Sequence, residues 1–505
     1  MSNWYDRAPF VSTVEQPVFR ENSFIRMKPE NKAVPTFASA RPVLPFPFWD
    51  GHEDAIRCWW RVWELAFRNV KAPTPQNGFV ARYIDTAFNN NLFMWDSAFI
   101  LMFARYGKRA FDFQRTLDNM YRKQHPDGFI CREIRESDGI DCWGEWDPSA
   151  TGPNVMPWTE WEYFKSYGDR ERLAAVFPPL AAFNRWMMNW RRWPDGTYWA
   201  NGLSCGMDNQ PRIDPSLDQG RNHGHLSWID TCLQQAFVSG ILFGMAKVLG
   251  REREFPDFAR EARDLGKFAN TQMWNAKDSF YYDRAHTGRL TGVPSIGAYW
   301  ALIAGIVPEP RLGRFIGHLS DPKWFNRPHR VPTLAACHPQ YHADGGYWMG
   351  AVWPCTNYMV LRGLTLAGED SLAHEIALNH HANVVEVFGK TGTVFENYAP
   401  ESAAPGRPAK ADFVGWGGLG PTAVFLEYVL GLRPDMPRKR LMWDIRLLEE
   451  HGVKRYPWGR NGVLDLSCAP RRRATEKPVV KASSNAALEL EIHWQGGKEV
   501  RKLRP

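Results

Sequence analysis

From His52 to about Leu432 the chain repeats one pattern: two amphipathic segments of helical period joined by a short turn, then a long connection rich in Gly, Pro and Asp. The segments pair as 95–106 with 111–124, 158–167 with 171–193, 228–249 with 258–274, 295–304 with 311–319, and 352–366 with 371–388. Segment 421–430 completes a sixth pair with the early helix 54–69. Turns such as Tyr106-Gly107-Lys108 and Tyr167-Gly168-Asp169 place Gly where a helix stops in the left-handed conformation. Consecutive helical hairpins bury their apolar stripes most simply by packing around a common axis. The long connections, 125–157, 194–227, 275–294, 320–351 and 389–420, would then gather at one mouth.

The predicted fold is therefore mainly α, an (α/α)6 barrel or six-hairpin toroid over residues 51–432. Residues 1–50, with the Pro-rich run Arg41-Pro-Val-Leu-Pro-Phe-Pro-Phe-Trp49, read as an extended N-terminal arm. After Gly431 the period changes to two, in 440–446, 461–467 and 487–493, so residues 433–505 read as a small β module.

Aromatic content is high, with 24 Trp, 16 Tyr and 30 Phe. An indole covers the apolar face of a sugar ring while its N–H reaches a hydroxyl, although most Trp in a large helical body fill the core. Glycoside hydrolysis needs one carboxyl group to protonate the leaving oxygen and, for inversion, a second to activate water on the opposite face. Two loops place an acid among Gly and aromatic neighbours. In Gly202-Leu-Ser-Cys-Gly-Met-Asp208-Asn-Gln-Pro-Arg212 the acid lies between a Gly and a turn-ending Pro, a position that would also suit an Asx-turn. In Gly392-Thr-Val-Phe-Glu396-Asn-Tyr-Ala-Pro400 it follows a short apolar run, as a surface Glu at a strand end would.

Five segments in order resemble the glycoside hydrolases related to processing α-glucosidase I and mannosylglycerate and glucosylglycerate hydrolases, with trehalases as more distant relatives. They are Asn91-Leu-Phe-Met-Trp95-Asp96-Ser-Ala-Phe99, Gly206-Met-Asp208-Asn-Gln-Pro-Arg212, Gly346-Tyr-Trp348-Met-Gly350-Ala-Val-Trp353-Pro-Cys-Thr-Asn357-Tyr358, Phe395-Glu396-Asn397-Tyr398-Ala-Pro400 and Gly415-Trp416-Gly417. The resemblance implies an exo-acting, inverting α-glycosidase with Asp208 as general acid and Glu396 as general base. It also implies a small carbohydrate substrate contacted by Trp95, Asp96, Asn209, Arg212, Tyr347, Trp348, Trp353, Asn357, Tyr398 and Trp416. Gln210, Met349 and Ala351 depart from the family's usual Ser, Arg and Pro. A non-catalytic carbohydrate-binding toroid would keep the tryptophans without needing the acid pair, and rhamnosidases or glycoside phosphorylases would keep the barrel but change the bond.

Other chemistries are less well supported. His338-Pro-Gln-Tyr-His342 lacks the acid of a zinc-binding HExxH and carries Pro in its middle, so no metal is expected. No GxGxxG or P-loop lysine points to a nucleotide, and no cofactor is expected. The net charge of +7 is dispersed, which argues against nucleic acid. Arg132 and Arg212 are candidates for an anionic or hydroxyl-rich aglycone, or for salt bridges at loop bases. Eight scattered cysteines, an N-terminus without a basic and then apolar run, and no apparent apolar stretch of membrane length suggest a cytoplasmic protein with no membrane partner.

Overall fold

A computed structural model describes residues 15–505; the first part of the predicted arm lies outside the described residues. The helices are α1 Glu53–Arg68, α2 Met94–Ala104, α3 Thr116–Arg122, α4 Met156–Tyr167, α5 Arg170–Trp190, α6 Ile229–Leu249, α7 Pro256–Gln272, α8 Trp300–Ile303, α9 Glu309–Gly317, α10 Pro354–Leu366 and α11 Asp370–Thr391. They are followed by a π-helical segment, Gly420–Val429. At the α4–α5 turn Gly168 takes φ 65° and ends α4 with its N–H on Phe164, and the Asp169 side chain then accepts from Arg172 N–H to cap α5.

Gly107 behaves differently from expectation. It lies in a tight 3-10 turn, Arg105–Gly107, without a positive φ, and a Cβ there would come within 2.7 Å of the Trp63 ring. Close packing, not handedness, requires glycine at this position. The predicted helix 295–304 is a 3-10 turn, Ile296–Tyr299, running into the single turn of α8. The predicted final helix is wound more widely, with Val424 N–H bonded to Leu419 and Leu430 N–H to Phe425.

Helix α2 packs on α4, α4 on α6, α6 on α8 and α8 on α10; α10 and α2 both pack on the turn Trp416–Gly418, and α2 also touches Gly420–Val429. The succession of contacts returns to its start. Around it, α5 packs on α4 and α6, α7 on α6, α11 on α10, and α1 on α11 and Gly420–Val429. The seam is tied by buried Glu427, which accepts from Arg105 Nη2 at 2.6 Å, Tyr106 OH at 2.9 Å and Tyr358 OH at 2.9 Å.

Helix α6 corrects one reading of the sequence: at 21 residues it is long and apolar enough to cross a membrane. In the fold it lies among α4, α5, α7 and α8 with most of its length buried, so its apolar surface is covered by protein. Such a helix is the centre of a packed helical body as readily as a membrane span.

The C-terminal strands form two four-stranded sheets. One is antiparallel, in the order β1 Phe46–Trp49, β4 His451–Trp458, β5 Gly462–Cys468 and β6 Val480–Ser484. The other runs β2 Leu432–Asp435, β3 Arg440–Asp444, β7 Leu488–Trp494 and β8 Gly497–Leu503, with β3 and β7 parallel. Strand β1 comes from the N-terminal side of the helical body, with Phe46 opposite Lys454 and Trp49 opposite His451.

Arg212 holds the loop bearing Asp208 to this frame. Its side chain is fully buried, donating from Nε to Asp283 at 2.8 Å and from Nη2 to Asp230 at 2.9 Å, with its guanidinium over Trp228. Removing the cation would strand two buried carboxylates in a medium that solvates them poorly. Arg212→Ala is expected to lower unfolding free energy by about 3–5 kcal/mol, measured by urea titration; a loss below about 1 kcal/mol, as for a surface ion pair, would contradict this role.

Candidate active site

Four of the five long connections, together with the segment ahead of α2, surround one open pocket with about 590 Å³ of empty space. Phe88, Phe93, Trp95 and Asp96 come from the start of the α2 region, and Arg132, Gly152 and Pro153 from the next connection. Leu203, Gly206 and Asp208 face them, with Tyr347, Trp348, Glu396 and Trp416 completing the wall. Connection 275–294 supplies no lining residue, but its Asp283 anchors Arg212.

Asp208 follows a single helical turn, Gly202–Cys205, capped at its start by the Asn201 side chain on Ser204 N–H. Gly206 ends it at φ 76°, lying so close to Trp95 that a Cβ would approach the indole nitrogen to 3.1 Å. No side chain among the described residues donates a hydrogen bond to Asp208. Burial is the main influence on its carboxyl and raises its pKa to about 6, against the lowering effect of Arg132.

Glu396 is held by donors. Tyr347 OH donates to Oε1 at 3.0 Å and Lys410 N–H to Oε2 at 3.3 Å. Desolvation still raises its pKa above the ordinary Glu range, while these two bonds favour the anion. Asp96, in the first turn of α2, is pushed well above the carboxylate range by burial first and by the charge of Glu396 second. Three carboxyl groups of one pocket thus stand in three environments.

Tryptophans wall the pocket in two layers. Trp348 lines it, and Trp353 is stacked behind at 3.7 Å, donating from its indole to the Tyr347 carbonyl. Trp416 lines the base side and donates to the Glu396 carbonyl at 2.7 Å. Trp59, Trp63, Trp158, Trp186, Trp228 and Trp300 are fully buried in the helical body, so core packing accounts for much of the aromatic content.

Of the residues expected to contact substrate, Trp95, Asp96, Tyr347, Trp348 and Trp416 line the pocket with Asp208 and Glu396. Arg212 does not, because both edges of its guanidinium are engaged by Asp230 and Asp283. Asn357 is buried, holding the Val331 N–H and C=O and the Trp353 carbonyl. Tyr398 is also buried, its hydroxyl accepting from Phe395 N–H. Asn209 bonds the Gly346 carbonyl and the Trp348 N–H. These four, with Trp353, form the frame behind the wall.

The departures from the family pattern also lie off the pocket lining. Gln210 accepts from Ser295 and donates to the Thr333 carbonyl, and Ala351 is buried. Phe88, Phe93, Leu203, Gly152 and Pro153 line the pocket although the sequence reading does not single them out. Phe93, inside the Trp95-Asp96 segment, and Leu203, in the loop of Asp208, are the two with a sequence signal. Of the acids in connection 125–157, Glu133 accepts from Asn91 and Trp143 while its charge opposes that of Asp208, Asp141 pairs with His125, and Glu145 accepts from Trp186. Among the described residues no three His, Cys, Asp or Glu side chains converge as metal ligands.

The sequence profile of the mannosylglycerate hydrolase MGH1-like glycoside hydrolase domain matches residues 89–416. An uncharacterized protein of Borreliella burgdorferi is 23% identical over 414 residues, covering 80% of this chain and 84% of its own. Among solved structures, the GH63 mannosylglycerate hydrolase from Thermus thermophilus in complex with glucose is similar with a TM-score of 0.59 and 20% identity, over 73% of this chain and 99% of that one. The neutral trehalase Nth1 from Saccharomyces cerevisiae is similar with a TM-score of 0.55 and 12% identity, over 71% of this chain and 76% of its own. With the profile spanning every wall of the pocket except Phe88, the chain belongs to the mannosylglycerate hydrolase MGH1-like family of glycoside hydrolases.

Proposed function

We propose that the protein is an exo-acting, inverting α-glycosidase on an (α/α)6 barrel, with Asp208 as general acid and Glu396 as general base. The observation that carries this reading is the contrast between two carboxyls in one Trp-walled pocket. Asp208 receives no side-chain donor and its proton is retained to about pH 6, whereas Glu396 accepts two hydrogen bonds that favour its anion. An acid must arrive protonated and a base ionised, so the environments suit opposite roles. The closed succession of helix contacts supports the barrel.

In this mechanism a sugar ring lies against Trp95, Trp348 and Trp416, and Asp96, whose anion burial disfavours, bonds a hydroxyl. Asp208 protonates the glycosidic oxygen as the bond to the anomeric carbon breaks. Glu396 takes a proton from the water that attacks the opposite face, through an oxocarbenium-like transition state. The pocket is a single hollow, which suits a short glycoside, and Arg132 at its wall suits an aglycone bearing hydroxyls or negative charge. Complexes of the Thermus enzyme hold glucose, and Tris with D-glycerate, which favours starting the search with glycerate conjugates of glucose and mannose.

Asp208→Asn and Glu396→Gln are each expected to lower turnover by roughly 10²–10⁴-fold, and unchanged turnover in both would remove the catalytic reading. Proton NMR of α-glycoside hydrolysis should show the β-anomer first; early α-anomer would exclude inversion. The kcat/KM profile should be bell-shaped, falling at high pH as Asp208 loses its proton near 6 and at low pH as Glu396 gains one. Because Arg132 lowers the Asp208 pKa, Arg132→Met should move the basic limb to higher pH, and an unmoved limb would separate Asp208 from that limb.

A further inference from the structure

We infer that Asn209 is a positioning residue for the general base: by gripping the Gly346–Trp348 turn at both ends it holds the Tyr347 hydroxyl on Glu396. The inference rests on the proposed role of Glu396.

The turn cannot be expected to hold this shape unaided. Gly345, Gly346 and Tyr347 lie at φ 110°, 51° and 65°, and only the first two are residues that adopt such angles without strain. At Gly346 a Cβ would meet the His342 side chain at 2.8 Å, so the chain passes that ring with no room to shift. Gly345 N–H donates to the His342 carbonyl at 3.0 Å, Met349 N–H to the Gly346 carbonyl at 3.4 Å and Thr333 Oγ1 to the Trp348 carbonyl at 3.1 Å, and four further bonds restrain the turn. Ala351 N–H reaches the Gly345 carbonyl at 2.8 Å and Trp353 Nε1 the Tyr347 carbonyl at 3.1 Å. The other two come from one amide: Asn209 Nδ2 donates to the Gly346 carbonyl at 3.0 Å, and Asn209 Oδ1 accepts from Trp348 N–H at 2.9 Å. These two bonds bracket Tyr347, the residue in the unfavourable conformation.

Asn209 directly follows Asp208, so the grip spans the pocket. One side of it is the backbone of the acid; the other is the turn whose phenol donates to the base at 3.0 Å. A fixed separation between the two carboxyl groups is what an inverting reaction requires, because a water molecule must fit between the base and the sugar. The amide therefore sets the position of the base's hydrogen-bond donor relative to the acid. Arg212, in the same loop, bonds away from the turn, toward α6, whereas Gln210 donates to the carbonyl of Thr333, whose hydroxyl reaches the Trp348 and Ala351 carbonyls and so backs the turn from behind.

The groups that face Glu396 are Tyr347 and Lys410, which bond its carboxylate, and Asp208 and Asp96, whose charges oppose it. Removing the phenol contact leaves the anion less favoured, so the acid limb of the rate profile should rise. Tyr347→Phe and Asn209→Ala are each expected to move that limb of kcat/KM up by about one pH unit, and the double variant no further than Tyr347→Phe alone. A uniform fall in rate with the limb unmoved, or additive shifts, would overturn the inference.

A crystal structure of Asn209→Ala tests the geometry without any substrate. Tyr347 OH should leave Glu396 Oε1, and a bond retained at 3.0 Å overturns the inference. Asn209→Asp keeps the acceptor for Trp348 N–H and loses the donor to Gly346, so it should fold and show a smaller shift; a limb unmoved in this variant too would count against the grip. Failure of the glycosidase reading shows separately, as turnover that survives both Asp208→Asn and Glu396→Gln.

Discussion

The succession of helix contacts has one joint that chain order does not make automatically, where the last element meets the first, and here that joint is Glu427. Its carboxylate lies between Arg105 and Tyr106, just beyond α2, and Tyr358 of α10, with Arg362 reaching it at 3.4 Å. Arg362 in turn bonds Glu162 of α4 at 2.8 Å, so one buried network joins four elements of the inner ring. A buried charge is costly unless fully paired, and this one is paired on every side, which makes it sensitive to the position of each neighbour. The same elements reach the pocket: Asp96 in the first turn of α2 and Trp416 just ahead of Gly420–Val429 line it, and Trp353 at the start of α10 backs Trp348. The joint therefore sets the spacing of the pocket from a distance.

Within the pocket, water exclusion creates the chemistry. Asp96, Asp208 and Glu396 would all be ionised at neutral pH in water, and together in a desolvated hollow they oppose one another. The fold resolves this by unequal provision of donors: Glu396 has a phenol and a backbone N–H, Asp208 has its own backbone N–H and a nearby Arg132 but no side-chain donor, and Asp96 is the most deeply disfavoured anion. The stacked pair Trp348 and Trp353 keeps the wall in place, because the outer ring rests on a second ring whose N–H is itself bonded.

Much of this organisation was legible in the sequence. Long amphipathic segments such as α5, α6 and α11 betray themselves by period and by the Gly residues that end them or the turns between them, and their bounds fall within a few residues of expectation. The 3-10 turn before α8 and the π winding of Gly420–Val429 were not legible, since apolar content there is the same whichever ladder forms. In the pocket, motif position identified the lining residues on the walls it spans, but not which way each neighbour points. Asp208 faces inward while Arg212, four residues on, faces the frame, and Tyr347 faces inward while Asn357 is buried behind it. Turn residues alternate between wall and scaffold according to backbone angles that no periodicity reports. Phe88 was missed because an isolated aromatic near a helix start has many ordinary explanations, and Phe93, although inside the Trp95-Asp96 segment, because the motif does not say which of its residues turn inward.

Strand β1 has a consequence for the order in which the chain can assemble. Its partner, β4, begins about 400 residues later, and Phe46–Trp49 forms the edge of a sheet whose remaining strands all follow the helical body. On a ribosome, the early strand must wait while the whole helical ring is made, with its backbone donors unpaired, and Pro47 in the middle of the strand removes one of those donors from unwanted pairing. The strand finds its partner only when β4 has been made. Deleting β4 would thus release an N-terminal segment as well as a C-terminal one, because β1 and the sheet it edges form one late-folding unit.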